Sequence, residues 1–98
     1  QGQAFQRLCQ VLQDRGNDLI VVLGPFNQHI MTVDNRAKFK AIENEVKQWL
    51  ESRSIVYSAP KLLNSSLYGD ASHPLTQGYR QLAESLWNDL DFKAWLSR

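Results

Sequence analysis

The sequence predicts an α/β fold, with helices on both faces of a parallel sheet. Three observations lead there. Leu19–Leu23 is an unbroken apolar run of five residues rich in β-branched types, as in a strand buried on both faces. A second short run, Ile55-Val56-Tyr57, follows a long amphipathic segment. Strands joined through a helix pair in parallel by a right-handed crossover. With helical segments before the first strand and after the second, the order is α-β-α-β-α.

The first helix is expected over Gln3–Arg15, where Phe5, Leu8, Cys9, Val11 and Leu12 recur at three- and four-residue spacing. Gly16 fits a left-handed cap at its end. Gly24-Pro25 closes the first strand, and Phe26–Val33 reads as a loop. Asp34 is a suitable N-cap for a second helix over Asn35–Ser52. Its stripe is Phe39, Ile42, Val46, Trp49 and Leu50, against a face of lysines and glutamates. Ile55–Tyr57 forms the second strand, and Lys61–Gly69 a loop with one helical turn at Lys61-Leu62-Leu63. The last helix is expected as one piece over Thr76–Leu96, on Tyr79, Leu82, Ala83, Leu86, Trp87, Leu90 and Trp95. Trp49, Trp87 and Trp95 fall on helix stripes and read as packing residues, and Cys9 reads as a small core residue.

A 98-residue chain allows one domain. Eleven Lys+Arg against ten Asp+Glu leave a charge of +1, which is no electrostatic footprint for nucleic acid. One cysteine excludes an internal disulfide framework and a Cys-rich zinc site. No apolar run exceeds five residues, so no transmembrane helix is predicted. The composition is that of a soluble globular domain; no targeting segment is legible, and no compartment is assigned. The chain begins at Gln1 and its single methionine is Met31, so the expectation is a trimmed or partial chain. Two strands alone leave unpaired edges, and the pattern asks for more strands or a second molecule.

The residues that carry chemistry lie in Leu67–Ala83. Asp70 and His73 stand three apart on a turn just before a helix. There a carboxylate can accept from imidazole Nδ1–H, fix the tautomer and leave Nε2 free to take a proton. The plainer reading is a local turn in which Asp70 bonds backbone and His73 is merely exposed. A metal reading with Asp70, His73 and His29 lacks a second motif, and no metal or cofactor is expected. Asn27 and His29, in the loop after the first strand, lie at the sheet edge where α/β proteins bind ligands and are candidate substrate contacts.

Asp70-x-x-His73-Pro74, followed by Gly78-Tyr79 and Leu82-Ala83, resembles the last conserved block of SGNH (GDSL-type) hydrolases. The order of strand, small residue and proline, helix, short strand and this block is similar as well. The resemblance implies a three-layer flavodoxin-like sheet of which this chain is the C-terminal portion. It also implies that Asp70 orients, and His73 serves as general base, in a Ser-His-Asp triad. Expected substrates are small esters or acylated carbohydrates or lipids, and the family allows an extracytoplasmic location. The family's Gly-Asp-Ser nucleophile segment and Gly-x-Asn-Asp oxyanion block are not among these residues. Arg15-Gly16-Asn17-Asp18 is only superficially similar to the latter and reads as cap and turn. Ser72 adjoins His73, and neighbouring side chains point apart; Ser58, Ser65 and Ser66 lack a nucleophile elbow, so the chain alone is expected to be inactive. The rival reading is a non-catalytic α/β module that pairs through its exposed strand edge, with a partner or a second copy.

Overall fold

The computed structural model describes residues Gly2–Arg98. Helix α1 spans Gly2–Asp14, strand β1 Ile20–Val22, helix α2 Val33–Ser52 and strand β2 Val56–Ser58. Helices α3, Thr76–Trp87, and α4, Leu90–Leu96, follow. Single 3₁₀ turns lie at Gln28–Ile30 and Ser65–Leu67. The two strands pair in parallel, with Ile20 opposite Val56, Val21 opposite Tyr57 and Val22 opposite Ser58. The α/β character and the parallel pairing are therefore as expected.

Strand alternation divides the sheet residues. Leu19, Val21, Leu23, Ile55 and Tyr57 join Cys9, Leu50, Phe5, Val46 and Trp49 in one apolar cluster. Phe5 meets Trp49 edge to face at 6.0 Å, and Arg53 lies over the same indole at 5.7 Å. At the alternate positions, Ser58 donates to the Asp89 carboxylate at 3.0 Å, tying β2 to the head of α4.

Several local expectations are corrected. Val22 is 45% exposed, so β1 is not buried on both faces: α4 packs on β2 and leaves that end of β1 uncovered. Thr32, not Asp34, caps α2, its Oγ1 accepting from Asn35 N–H at 3.2 Å. Asp34 then sits in the first turn, where its charge suits the helix dipole. The loop after β1 contains a 3₁₀ turn, and the turn expected at Lys61–Leu63 forms at Ser65–Leu67. The last helix breaks in two at Asn88-Asp89. Asn88 Nδ2 donates to the Glu84 carbonyl, and Asp89 Oδ1 accepts from Phe92 N–H, starting α4 afresh. Trp87 is 62% exposed and is not a packing residue, because α3 turns much of its stripe outward. Gly16, at φ +82°, does close α1, with Asn17 bonding back to the Leu12 carbonyl.

The core is small for the chain length. The accessible surface is 7102 Å², whereas a complete monomer of this mass exposes about 5,700 Å². One edge of β1 is unpaired. Beside it runs an apolar groove lined by Val21, Val22, Leu23, Phe26, Phe39 and Ile42.

Candidate functional site

The site is a loop between β2 and α3. Its closure is a backbone matter. Gly69 N–H donates to the His73 carbonyl at 2.8 Å, and Leu75 N–H donates to the Leu67 carbonyl at 2.7 Å. Tyr68 and Pro74 face each other in an antiparallel bridge. Between these bonds the chain from Asp70 to His73 must turn sharply, and Asp70 supplies the means. Its Oδ1 accepts from Ser72 N–H at 2.9 Å and His73 N–H at 2.8 Å, forming an Asx turn.

The same carboxylate meets the imidazole. His73 Nδ1 lies 2.9 Å from Oδ1 and 3.0 Å from Oδ2. The two backbone N–H groups and the imidazole hold the Asp70 carboxyl below its ordinary range. An ionised carboxylate only accepts, so the shared proton sits on Nδ1. Nε2 has no hydrogen-bond partner among the described residues, and the His73 side chain is 70% exposed. The local-turn reading and the paired-dyad reading are thus one structure: the turn seats the ring on the carboxylate.

The loop is fastened to the exit of β1. Asn27 N–H donates to the Ala71 carbonyl at 2.9 Å, and Asn27 Nδ2 reaches the Asp70 carbonyl at 3.4 Å. Tyr68, itself buried, receives Leu63 N–H on its hydroxyl at 3.3 Å and directs that hydroxyl to the Phe26 carbonyl at 3.4 Å. On the far side, α3 lies against the loop at Gly78. A Cβ built there would stand 2.8 Å from the Leu67 oxygen and 2.8 Å from Pro74 Cβ. Only a glycine admits so close an approach.

The four sequence-predicted residues separate into three situations. Asp70 and His73 are joined at the exposed tip. Asn27 lies beneath them, buried, and touches the backbone of the Asp70 turn. His29 is apart: its Nε2 is 2.7 Å from the Leu63 carbonyl, and its ring meets Tyr68 edge on. Ser72 Oγ comes within 3.2 Å of His73, but at Nδ1, the nitrogen already facing the carboxylate. Ser58 is buried against Asp89, and no hydrogen bond links Ser58, Ser65 or Ser66 to His73.

A cavity of about 230 Å³ adjoins the dyad, lined by Gly24, Pro25, Phe26, Ser72, Pro74, Tyr79 and Leu82. It is mainly apolar and brings the β1 exit, the loop and α3 together. A larger hollow of about 390 Å³, with Ser58, Lys61, Ser85 and Asp89 in its wall, opens at the end of β2 and contains no part of the dyad. Among the described residues no cluster of three or more His, Cys, Asp or Glu could hold a metal ion. Among the described residues no helix is long and apolar enough to cross a membrane.

Sequence reasoning did not find the fastening role of Tyr68 or the steric role of Gly78. Gly78 carried a signal, since a glycine in the first turn of an amphipathic helix needs a reason. Tyr68 carried none, because its contacts are with residues distant in the chain. Compared with known proteins, the chain matches no family model, no curated protein and no solved structure.

Proposed function

We propose that this chain contributes the acid–base dyad of an SGNH-like serine hydrolase or acyltransferase. His73 is the general base, Asp70 its orienting carboxylate, and the nucleophilic serine comes from sequence outside these residues. The observation that carries the reading is the two-oxygen contact of Asp70 with His73 Nδ1, at 2.9 and 3.0 Å, with Nε2 exposed and unpartnered. In that tautomer Nε2 accepts the serine proton while serine oxygen attacks an ester carbonyl. The imidazolium, steadied by Asp70, then returns the proton to the leaving alcohol. Water or a sugar hydroxyl discharges the acyl-enzyme with His73 again as base. The substrate on this reading is a small ester or an acylated carbohydrate or lipid.

Two further observations support an incomplete domain. The chain exposes 7102 Å², about 1,400 Å² beyond the expectation for its mass. The unpaired β1 edge and its apolar groove form the natural seat for further strands of a three-layer, flavodoxin-like sheet. The groove equally suits the second reading, a non-catalytic module that pairs through this edge with a partner or a second copy.

The gene product carrying these residues decides between them. Fluorophosphonate labelling and ester turnover are measured for wild type and His73→Ala. On the catalytic reading the wild type labels and turns over, and the variant falls by at least about a thousandfold in turnover. Equal labelling and turnover in both proteins removes the triad, and so does complete inertness of the wild type. The 98-residue chain alone is expected to be inert, since a base without nucleophile and oxyanion donors provides only part of the rate enhancement.

A further inference from the structure

We infer that Asn27 is a positioning residue for the Asp70–His73 dyad rather than a group that meets substrate. The inference rests on the catalytic reading above for its consequence, but not for its geometry.

Asn27 is 6% exposed, in a chain with few buried polar residues. A substrate contact needs a free polar atom, whereas Asn27 Oδ1 is buried and Nδ2 is turned to the Asp70 carbonyl. Its bonds run instead to the functional loop. Asn27 N–H holds the Ala71 carbonyl at 2.9 Å, and Nδ2 approaches the Asp70 carbonyl at 3.4 Å. These are the carbonyls of the first two peptides of the Asx turn. With both held, the backbone that carries the Asp70 carboxylate is fixed, and that carboxylate faces Ser72 N–H, His73 N–H and the ring.

The remaining atom sharpens the case. Asn27 Oδ1 is buried and accepts no hydrogen bond. A buried amide oxygen without a partner costs stability, so an apolar side chain of similar shape is as good or better for the fold. Asparagine is therefore the wrong residue here if stability is its only task. Its useful part is the donor side, and that donor faces the dyad loop. Exposed dyads gain most from such fastening: the Asp70 and His73 side chains are 60% and 70% exposed and have little packing to hold them.

The test replaces Asn27 by leucine, close in shape but without the side-chain donor, while the backbone bond to the Ala71 carbonyl stays. Two readouts are taken. On the 98-residue chain, nitrogen-15 NMR of the His73 ring reports the tautomer, and thermal unfolding reports stability. On the longer gene product, ester turnover is measured. The expected result is an unchanged or raised melting temperature, a loss of the Nδ1–H tautomer's excess over Nε2–H, and turnover lowered about tenfold or more. Asp70→Asn marks the tautomer signature of a lost dyad. Asn27→Ser, which needs no added space and is too short to reach the Asp70 carbonyl, carries the same test should the leucine variant fail to fold. An unchanged tautomer overturns the inference. So does a fall in melting temperature with the tautomer intact, which marks a merely structural role. The ring signature is read without a nucleophile. If the wild-type gene product has no turnover, the catalytic reading fails while the positioning of the ring is still decided.

Discussion

Replacing Gly78 by alanine tests whether α3 and the dyad loop are held together by close contact. Gly78 sits in the first turn of α3 and is buried. The added methyl would meet the Leu67 oxygen and Pro74 Cβ, each at 2.8 Å, and Leu63 Cδ1 at 3.1 Å. Ordinary contact begins near 3.4 Å, so helix and loop must separate by about 0.6 Å. The leucine tip can give way. The Leu67 oxygen cannot do so cheaply, because it accepts from Leu75 N–H at 2.7 Å in the bond that closes the loop. Overpacking of this kind costs about 1–3 kcal/mol, offset by roughly 1 kcal/mol for alanine's better helix propensity. Two rigid neighbours at 2.8 Å put the overpacking at the upper end, about 2–3 kcal/mol, so the net loss is about 1–2 kcal/mol, read as a fall in melting temperature of roughly 5–15 °C for a domain of this size. Pro74 adjoins His73, so its displacement also weakens the ring's contact with Asp70. The assay is thermal unfolding followed by circular dichroism, with the His73 tautomer by NMR. Gly2→Ala is the control, since nothing lies within 4 Å of its new methyl. If Gly78→Ala melts at or above the wild-type temperature, the close approach of α3 to the loop is refuted.

Two other expectations follow from the same geometry. The Asp70 carboxyl is lowered from its ordinary 3.8 by its hydrogen bonds. Its contribution to the folded turn is therefore complete above that value and is lost only as pH falls through the lower folded-state value. Amide protection at Ser72 and His73 should hold down to the ordinary carboxyl value of 3.8 and fall only below it, whereas Asp70→Asn shows no such pH-dependent step; loss of protection already at neutral pH contradicts this. Asp89→Ala removes the α4 cap and strands the buried Ser58 hydroxyl. The expected cost is about 1 kcal/mol for the cap and a further 1–3, roughly, for the orphaned hydroxyl. Asn in its place keeps the cap acceptor for Phe92 N–H and turns an amide N–H toward Ser58 Oγ, which can accept it, so it stays near wild type; equal unfolding midpoints in urea for the two variants would count against the assignment.

The elements were legible where local pattern decided them. The β-branched runs gave two strands, and the spacing of Val46, Trp49 and Leu50 gave the buried side of α2. What misled was a local signal with two valid answers. Thr32 and Asp34 both make good caps, and the chain used the former. The apolar stripe ran through Asn88-Asp89 without a break. There the bond from Ser58, 31 residues away, gives Asp89 a role that no periodicity reveals. Trp87 sits on a helix stripe yet faces outward, because a stripe predicts a buried face only if something covers it.

By itself, the sequence determined that this is an α/β chain with parallel strands and that Asp70 and His73 share a turn. Helix and strand periodicity and the i, i+3 spacing of a turn are local properties, written in neighbouring residues. The tertiary structure alone decided that the carboxylate and Nδ1 are in contact. It alone made Asn27 a buried strut, turned His29 toward the Leu63 carbonyl and required a glycine at position 78. Each of these depends on segments distant in the chain meeting at ångström distances. Hydrogen bonds and steric contacts act only at that range, and the order of residues along the chain does not contain it.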